Sequence, residues 1–261
     1  MSLHIQAGYD LADLGTYVLD VVETGGNTFT VTLATGTHFL SASGASATGD
    51  HSSMVTGYTD LLSAIDTALE AGGAGTNAYT VTFDTTTERV TITHDGSASV
   101  TAISLTATTN GGLIGHTTVQ SGALTHEMDI TPEYWISGEI GFWSNRVERE
   151  DDSDVGFTVL AHNGKPHGVA KDGVGIMYDV TVPLEPQAIV YTDYATAADP
   201  WTWQKLFRHA RNVYPLSIND GTRNMFVKLR QPSFRPQKRS ADYDGHYDVR
   251  LESWLLARIV A

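Results

Sequence analysis

Cysteine is absent from this 261-residue chain. That excludes a disulfide framework and any cysteine-ligated metal site, and it fits a reducing compartment. Basic residues are almost missing from the first half: residues 1–129 hold only Arg89 against thirteen Asp and Glu, a net of −12. Tryptophan and proline are missing there too, since all five tryptophans and all eight prolines follow residue 129. No run approaches the ~18 apolar residues of a membrane-spanning helix, so none is expected. The opening MSLHIQAGYDLADLG has neither a basic stretch nor an apolar core and does not read as a secretory signal.

The residues that are present describe a folded, acidic chain. With 41% hydrophobic residues it can bury a real core, as one large β domain or two ordinary ones. The net charge of −14 favours solubility and disfavours nonspecific contact with DNA or anionic membrane. Residues 130–261 are nearly balanced, with fifteen Lys and Arg against seventeen Asp and Glu. The shift in composition places a boundary near 129. It suggests an acidic Thr/Gly/Ala-rich module over 1–129, with its core at 24–122, followed by a β-sandwich-like domain over 130–261.

Periodicity gives the elements. TYVLDVV (16–22) is apolar and β-branched, and NTFTVTLATG (27–36) puts Phe29, Val31 and Leu33 on one face. SASGASATGDHSS (41–53) reads as a loop. In YTDLLSAIDTALEAGG (58–73), Thr59 or Asp60 suits an N-cap, and Leu61, Leu62, Ile65, Ala68 and Leu69 form one helical stripe. Gly72 and Gly73 stop that helix, by the left-handed conformation glycine readily takes. Tyr79, Val81 and Phe83, then Val90 and Ile92, alternate with polar residues as a hairpin able to receive the stripe. SVTAISLTATT (99–109) adds a strand.

The second half repeats the pattern of strands around one helix. VGFTVLAHNG (155–164) and GIMYDVTVPLEPQAIVYTDY (175–194) read as strands. A helix is expected over 200–212, with Asp199 as cap, Pro200 in its first turn, and Trp203, Leu206, Phe207 and Ala210 as its stripe. A hairpin over 214–232 turns at Asn219-Asp220-Gly221, and 247–259 is a long closing strand available for edge pairing. The fold class is mainly β with few helices (α+β), as two β-sandwich-like domains each flanked by one short helix.

The strand end GTHFL (36–40), the helix TDLLSAIDTALEA (59–71), the hairpin YTVTFDTTTERVTIT (79–93) and the late GGLIGH (111–116) resemble a module of tailed-bacteriophage virion proteins. A related pattern occurs in modules inserted in flagellin-like proteins. The resemblance covers residues 24–118, and LIGH stands where the pattern usually ends in LGF. In order and rhythm the second half resembles phage tail-tube and distal-tail proteins. The resemblance implies a structural protein of the virion tail or tail tip, assembled in the host cytoplasm as a homo-oligomeric ring beside other tail proteins. It implies no site residues, because such proteins act through surfaces.

Clusters of residues able to carry chemistry occur at several places in the chain. DYDGHYD (242–248) brings Asp242, Asp244 and Asp248 around Gly245, but the glycine comes too early for a calcium loop. EREDDSD (148–154) reads as a solvated acidic loop. His162 and His167 lack metalloprotease spacing. AGGAG (71–75) follows a helix and precedes a strand, the reverse of a phosphate-binding loop. No nucleophile elbow occurs. The sequence therefore predicts no enzyme, no cofactor and no metal.

The sharper feature is basic. Residues 201–240 hold nine Lys and Arg against Asp220 alone. Lys205, Arg208, Arg211, Arg235, Lys238 and Arg239, with Trp201 and Phe234, make a candidate interface to an acidic surface of the same chain or a neighbouring copy. Nucleic-acid contact through 201–240 stays open as the weaker partner expectation, and no membrane partner is expected. The alternatives are a carbohydrate-binding receptor-recognition module using Tyr134, Trp135, Trp143 or Trp201 as an aromatic platform, and, further down, a cell-wall-degrading enzyme.

Overall fold

Threonine-alternating segments become strands, and the two apolar stripes become helices, in a computed structural model of the chain. It describes residues 2–40, 58–84, 86–139, 146–151, 156–160, 166–170, 175–195, 201–212, 214–219, 223–229, 233–238 and 245–260. In chain order the first half contributes β1 (Ser2–Ala7), β2 (Tyr9–Asp10), the single turn α1 (Leu11–Leu14), β3 (Tyr17–Glu23), β4 (Thr28–Leu33), β5 (Thr37–Phe39), β6 (Tyr58–Asp60), helix α2 (Leu61–Gly72), β7 (Tyr79–Asp84), β8 (Arg89–His94), β9 (Ile103–Thr109), β10 (Gln120–Ala123) and β11 (Thr125–Glu127). The second half contributes β12 (Trp135–Glu139), β13 (Arg146–Asp151), β14 (Gly156–Leu160), β15 (Pro166–Ala170), β16 (Gly175–Pro186), α3 (Gln187–Val190), α4 (Trp203–Asn212), β17 (Leu216–Asn219), β18 (Arg223–Leu229), β19 (Gln237–Lys238) and β20 (His246–Val260). The fold is mainly β, in the α+β class, with sandwich-like packing and four α-helices among the described residues.

The first half makes three small sheets: β10-β9-β3-β4, β11-β8-β7 and β2-β5-β6. Helix α2 lies against β4 of one and β7 of another, so it joins two sheets that each need an apolar cover. Asp60 caps it, accepting from the Leu62 amide at 2.8 Å and the Ser63 amide at 3.3 Å. Leu61, Leu62, Ile65 and Leu69 are buried, each contributing about 1.5–3 kcal/mol by removal from water. The stop works differently from the sequence expectation. Gly73 has φ −77°, an ordinary extended value, not the left-handed one. Space is what requires glycine: a Cβ on Gly73 would sit 2.4 Å from Tyr79, and one on Gly72 2.2 Å from Phe29.

The second half builds the large sheet, in the order β12-β1-β17-β18-β20-β16-β13 with β19 also on β20. Its β12 edge approaches β16, so the sheet curls back toward itself. Helix α4 packs on β1 and β18, and α3 on β16 and β20. All the described pairings are antiparallel except β5–β6.

Several expectations shift here. Strand β1 lies between β12 and β17, with Ile5 opposite both Ile136 and Ile218, so residues 2–7 belong to the sheet of the second half. The core is likewise continuous across residue 129: Phe83 packs on Trp135 at 4.6 Å and Phe39 on Phe226 at 5.4 Å. The strand expected over 175–194 ends at Pro186, where α3 begins. The long strand 247–259 is interior over part of its length: β20 has β16 on one side as far as Trp254, and β19 at Tyr247–Asp248 and β18 from Ser253 onward on the other, while beyond Trp254 the described pairings are with β18 alone. Asp199 and Pro200 lie outside the described residues. The Thr202 hydroxyl caps α4 instead, accepting from the Lys205 amide at 3.2 Å.

Candidate interface

Helix α4 divides into a buried and a charged face. Trp203, Leu206, Phe207 and Ala210 are buried as the stripe required, and the Trp203 indole N–H donates to Glu185 at 2.9 Å. Arg208 is exposed and Lys205 half-buried. Arg211 lies in the same helix, with its side chain outside the described residues. The Phe234 ring packs on Phe207 at 5.5 Å and on Tyr191 at 6.2 Å. That contact brings the two basic stretches together, because Arg208 follows one ring in the chain and Arg235 follows the other. Arg235 and Lys238 are both exposed. Arg239 lies outside the described residues.

Lys205 is partly engaged within the molecule. Burial pushes the Glu133 carboxyl above its ordinary range, and the Lys205 charge opposes that rise. Trp201 and Phe234 are half-buried. Trp201 packs on Tyr134 at 4.3 Å, and Tyr134 in turn on Tyr9 at 5.0 Å and His209 at 4.5 Å. Tyr134 holds a left-handed backbone (φ 66°), a strained position of about 1–3 kcal/mol that its ring packing offsets. The His209 Nε2–H donates to the Gly8 carbonyl at 2.7 Å, and its ring stacks on Tyr214 at 4.4 Å. Of the residues considered for an aromatic platform, Tyr134 and Trp135 are therefore buried, and Trp143 lies outside the described residues.

A buried polar network escaped the sequence reading. Glu23 accepts from Tyr79 Oη at 2.7 Å, Asn27 Nδ2 at 2.7 Å and the Ala74 amide at 3.0 Å. Burial pushes its carboxyl up, but the bonds from Tyr79, Asn27 and Ala74, with His94 nearby, outweigh that and hold it below the usual range. His94 Nδ1 accepts from the Gly96 amide at 3.0 Å, so its Nε2 carries the proton, 3.2 Å from the Ala74 carbonyl. The network ties β3, the exit of α2 and the β7–β8 hairpin together. The one signal in the sequence was a carboxylate closing an apolar strand, VVETGGN (21–27).

The other acidic and histidine clusters lie largely outside the described residues. Among the described residues no group of three His, Cys, Asp or Glu could hold a metal ion, and no helix is long and apolar enough to cross a membrane. Asp248 sits in β20 opposite Gln237, and His167 in β15; Asp242, Asp244 and His162 lie outside the described residues. No family model, curated protein or solved structure matches the chain.

Proposed function

We propose that the chain is a structural subunit of a tailed-phage virion, in the tail or its tip, and that it works by assembling with copies of itself. The observation that carries this reading is the exposed basic group Arg208, Arg235 and Lys238 on a chain whose first half carries −12. Opposite charge on two faces of one subunit favours a contact between unlike faces, and such contacts propagate into rings or filaments. The resemblance of residues 24–118 to virion modules supports the same reading, as does the β-rich architecture. Trp201 and Phe234, half-buried beside the basic group, offer apolar area that exposed charge pairs need beside them.

Negative-stain microscopy of the purified protein tests this. Rings or short stacks of more than two copies are expected. Uniform single particles at high protein concentration would contradict the assignment and favour a monomeric binding module.

A further inference from the structure

Residues 110–120 and 127–133 meet in one corner, where the chain leaves the first half. The Ile130 amide donates to the Gly115 carbonyl at 3.0 Å, and the Glu133 amide to the Gly112 carbonyl at 2.8 Å. The approach is close enough to require glycine: Gly115 has φ 76°, and a Cβ there would overlap the Ile130 carbonyl. The Asp129 carboxylate holds the other side. It accepts five hydrogen bonds, from the amides and hydroxyls of Thr117 and Thr118 at 2.8–3.2 Å and from Gln120 Nε2 at 3.3 Å. Tyr134 and Trp135 follow directly and join the continuous core. The corner therefore fastens the crossing from one half to the other.

His116 lies inside this corner. It is only 2% exposed, and neither ring nitrogen makes a hydrogen bond among the described residues. His94, His126 and His209 differ, since each sets Nε2 against a backbone carbonyl, those of Ala74, Ile103 and Gly8 at 3.2, 3.0 and 2.7 Å. While neutral, the His116 ring fills space but ties nothing together, a task an apolar side chain performs without an unmet N–H. What distinguishes it from an apolar filler is that it can take a proton. The titratable groups facing it are Asp129 and His126, and Glu133 lies across the corner against Gly112. Asp129 has no room for an imidazolium, because a carboxylate offers about four lone-pair sites and this one already serves five donors. Burial, with His126 nearby, pushes the His116 pKa down against the pull of the Thr118 backbone and Asp129.

We infer that His116 is an acid-operated release for this corner: a proton on its ring frees 117–120 from Asp129 and loosens the crossing 129–133, while the sheets on either side stay folded. The closed corner excludes the charged ring, and the open one leaves it in water at its ordinary value of about 6.5. Between that value and the lower closed one, each unit fall in pH favours opening by about tenfold. The release is local, ahead of global unfolding, and it does not depend on the assembly reading.

Amide hydrogen exchange of the full chain, followed by NMR at pH 7.5 and 5.5 and corrected for the intrinsic pH dependence of exchange, tests it. The amides of Thr117, Thr118, Ile130 and Glu133 are expected to be protected at pH 7.5 and to lose about tenfold of that protection at pH 5.5. Those of β3 and α2 are expected to keep theirs. In His116→Phe, which fills the same space without a titratable group, the loss is expected to disappear. A second measurement uses the native chain alone: the His116 ring resonance is expected to titrate below 6.5, in step with the loss of protection. Equal protection at both pH values, no protection at pH 7.5, a loss that persists in His116→Phe, or a ring that titrates at 6.5 or above would each overturn the release.

Discussion

Helices α2 and α4 do the same packing work with opposite surfaces. Each buries four apolar side chains, Leu61, Leu62, Ile65 and Leu69 in α2 and Trp203, Leu206, Phe207 and Ala210 in α4. Each starts at a side-chain cap, Asp60 or Thr202. The rest of α2 is small or acidic, with Ser63, Asp66, Thr67 and Glu70, whereas α4 carries Lys205, Arg208 and Arg211. The first helix closes a module on itself, and the Glu23 network locks its exit. The second closes the large sheet and presents charge. Packing and presentation are thus separable in this chain, and substitutions can probe them independently.

The largest effect is expected where both helices are alike. Ile65→Asp and Leu206→Asp each bury an unpaired charge, and each is expected to cost at least ~3–5 kcal/mol, enough to unfold a marginal domain. Because the core is continuous across residue 129, both variants are expected to melt the whole molecule in one transition. Two separated transitions in denaturant unfolding would show that the halves are independent after all.

The lock on α2 comes next. Tyr79→Phe removes one donor from a buried carboxylate and is expected to cost about 1–3 kcal/mol, with Glu23→Ala at or above the upper end because it also leaves the Ala74 amide unpaired and Asn27 with the Gly72 carbonyl as its remaining side-chain acceptor. Chemical denaturation measures both. Values near zero would mean that the network does not fasten the hairpin to the helix.

Acid should then separate two kinds of group. Burial holds His38, His116 and His209 below the usual histidine range. A histidine with a depressed folded pKa stabilises the fold while neutral. That contribution is lost as pH falls below the unfolded value of about 6.5 toward the folded one. Glu23 and Asp129 are held below the usual carboxylate range by hydrogen bonds that outweigh their burial. Their contribution survives until pH falls below about 4. Melting temperature is therefore expected to decline first as pH falls below about 6.5, and again below about 4. His116→Gln is expected to flatten the first decline and leave the second in place.

How much of this was legible depended on range. The cap, stripe and length of α2 were readable because they are set by neighbours within four residues, and so was the stripe of α4. The hairpin Tyr79–His94 was readable from alternation across a short turn. The placement of β1 was not, since nothing in SLHIQA names Trp135–Glu139 and Leu216–Asn219 as its partners. For the same reason 247–259 read as a free edge: alternation marks a strand but not how many neighbours it has. The candidate interface was legible as a run of charge. That Phe207 and Phe234 join its two parts, and that Lys205 is partly engaged by Glu133, are tertiary facts.

The smallest effect on stability is expected from the exposed basic group that Arg208 of α4 shares with Arg235 and Lys238. Reversing Arg208, Arg235 and Lys238 to Glu is expected to change unfolding free energy by only about 0.5 kcal/mol or less per site, and circular dichroism beside light scattering separates a change in assembly from a change in fold. The most direct test of the account is the mass of the wild-type protein by light scattering, over a concentration series at low and high salt. The account requires species of more than two copies at low salt, with assembly weakened as salt screens the acidic and basic faces. A monomer at every concentration, or a dimer indifferent to salt, would contradict it.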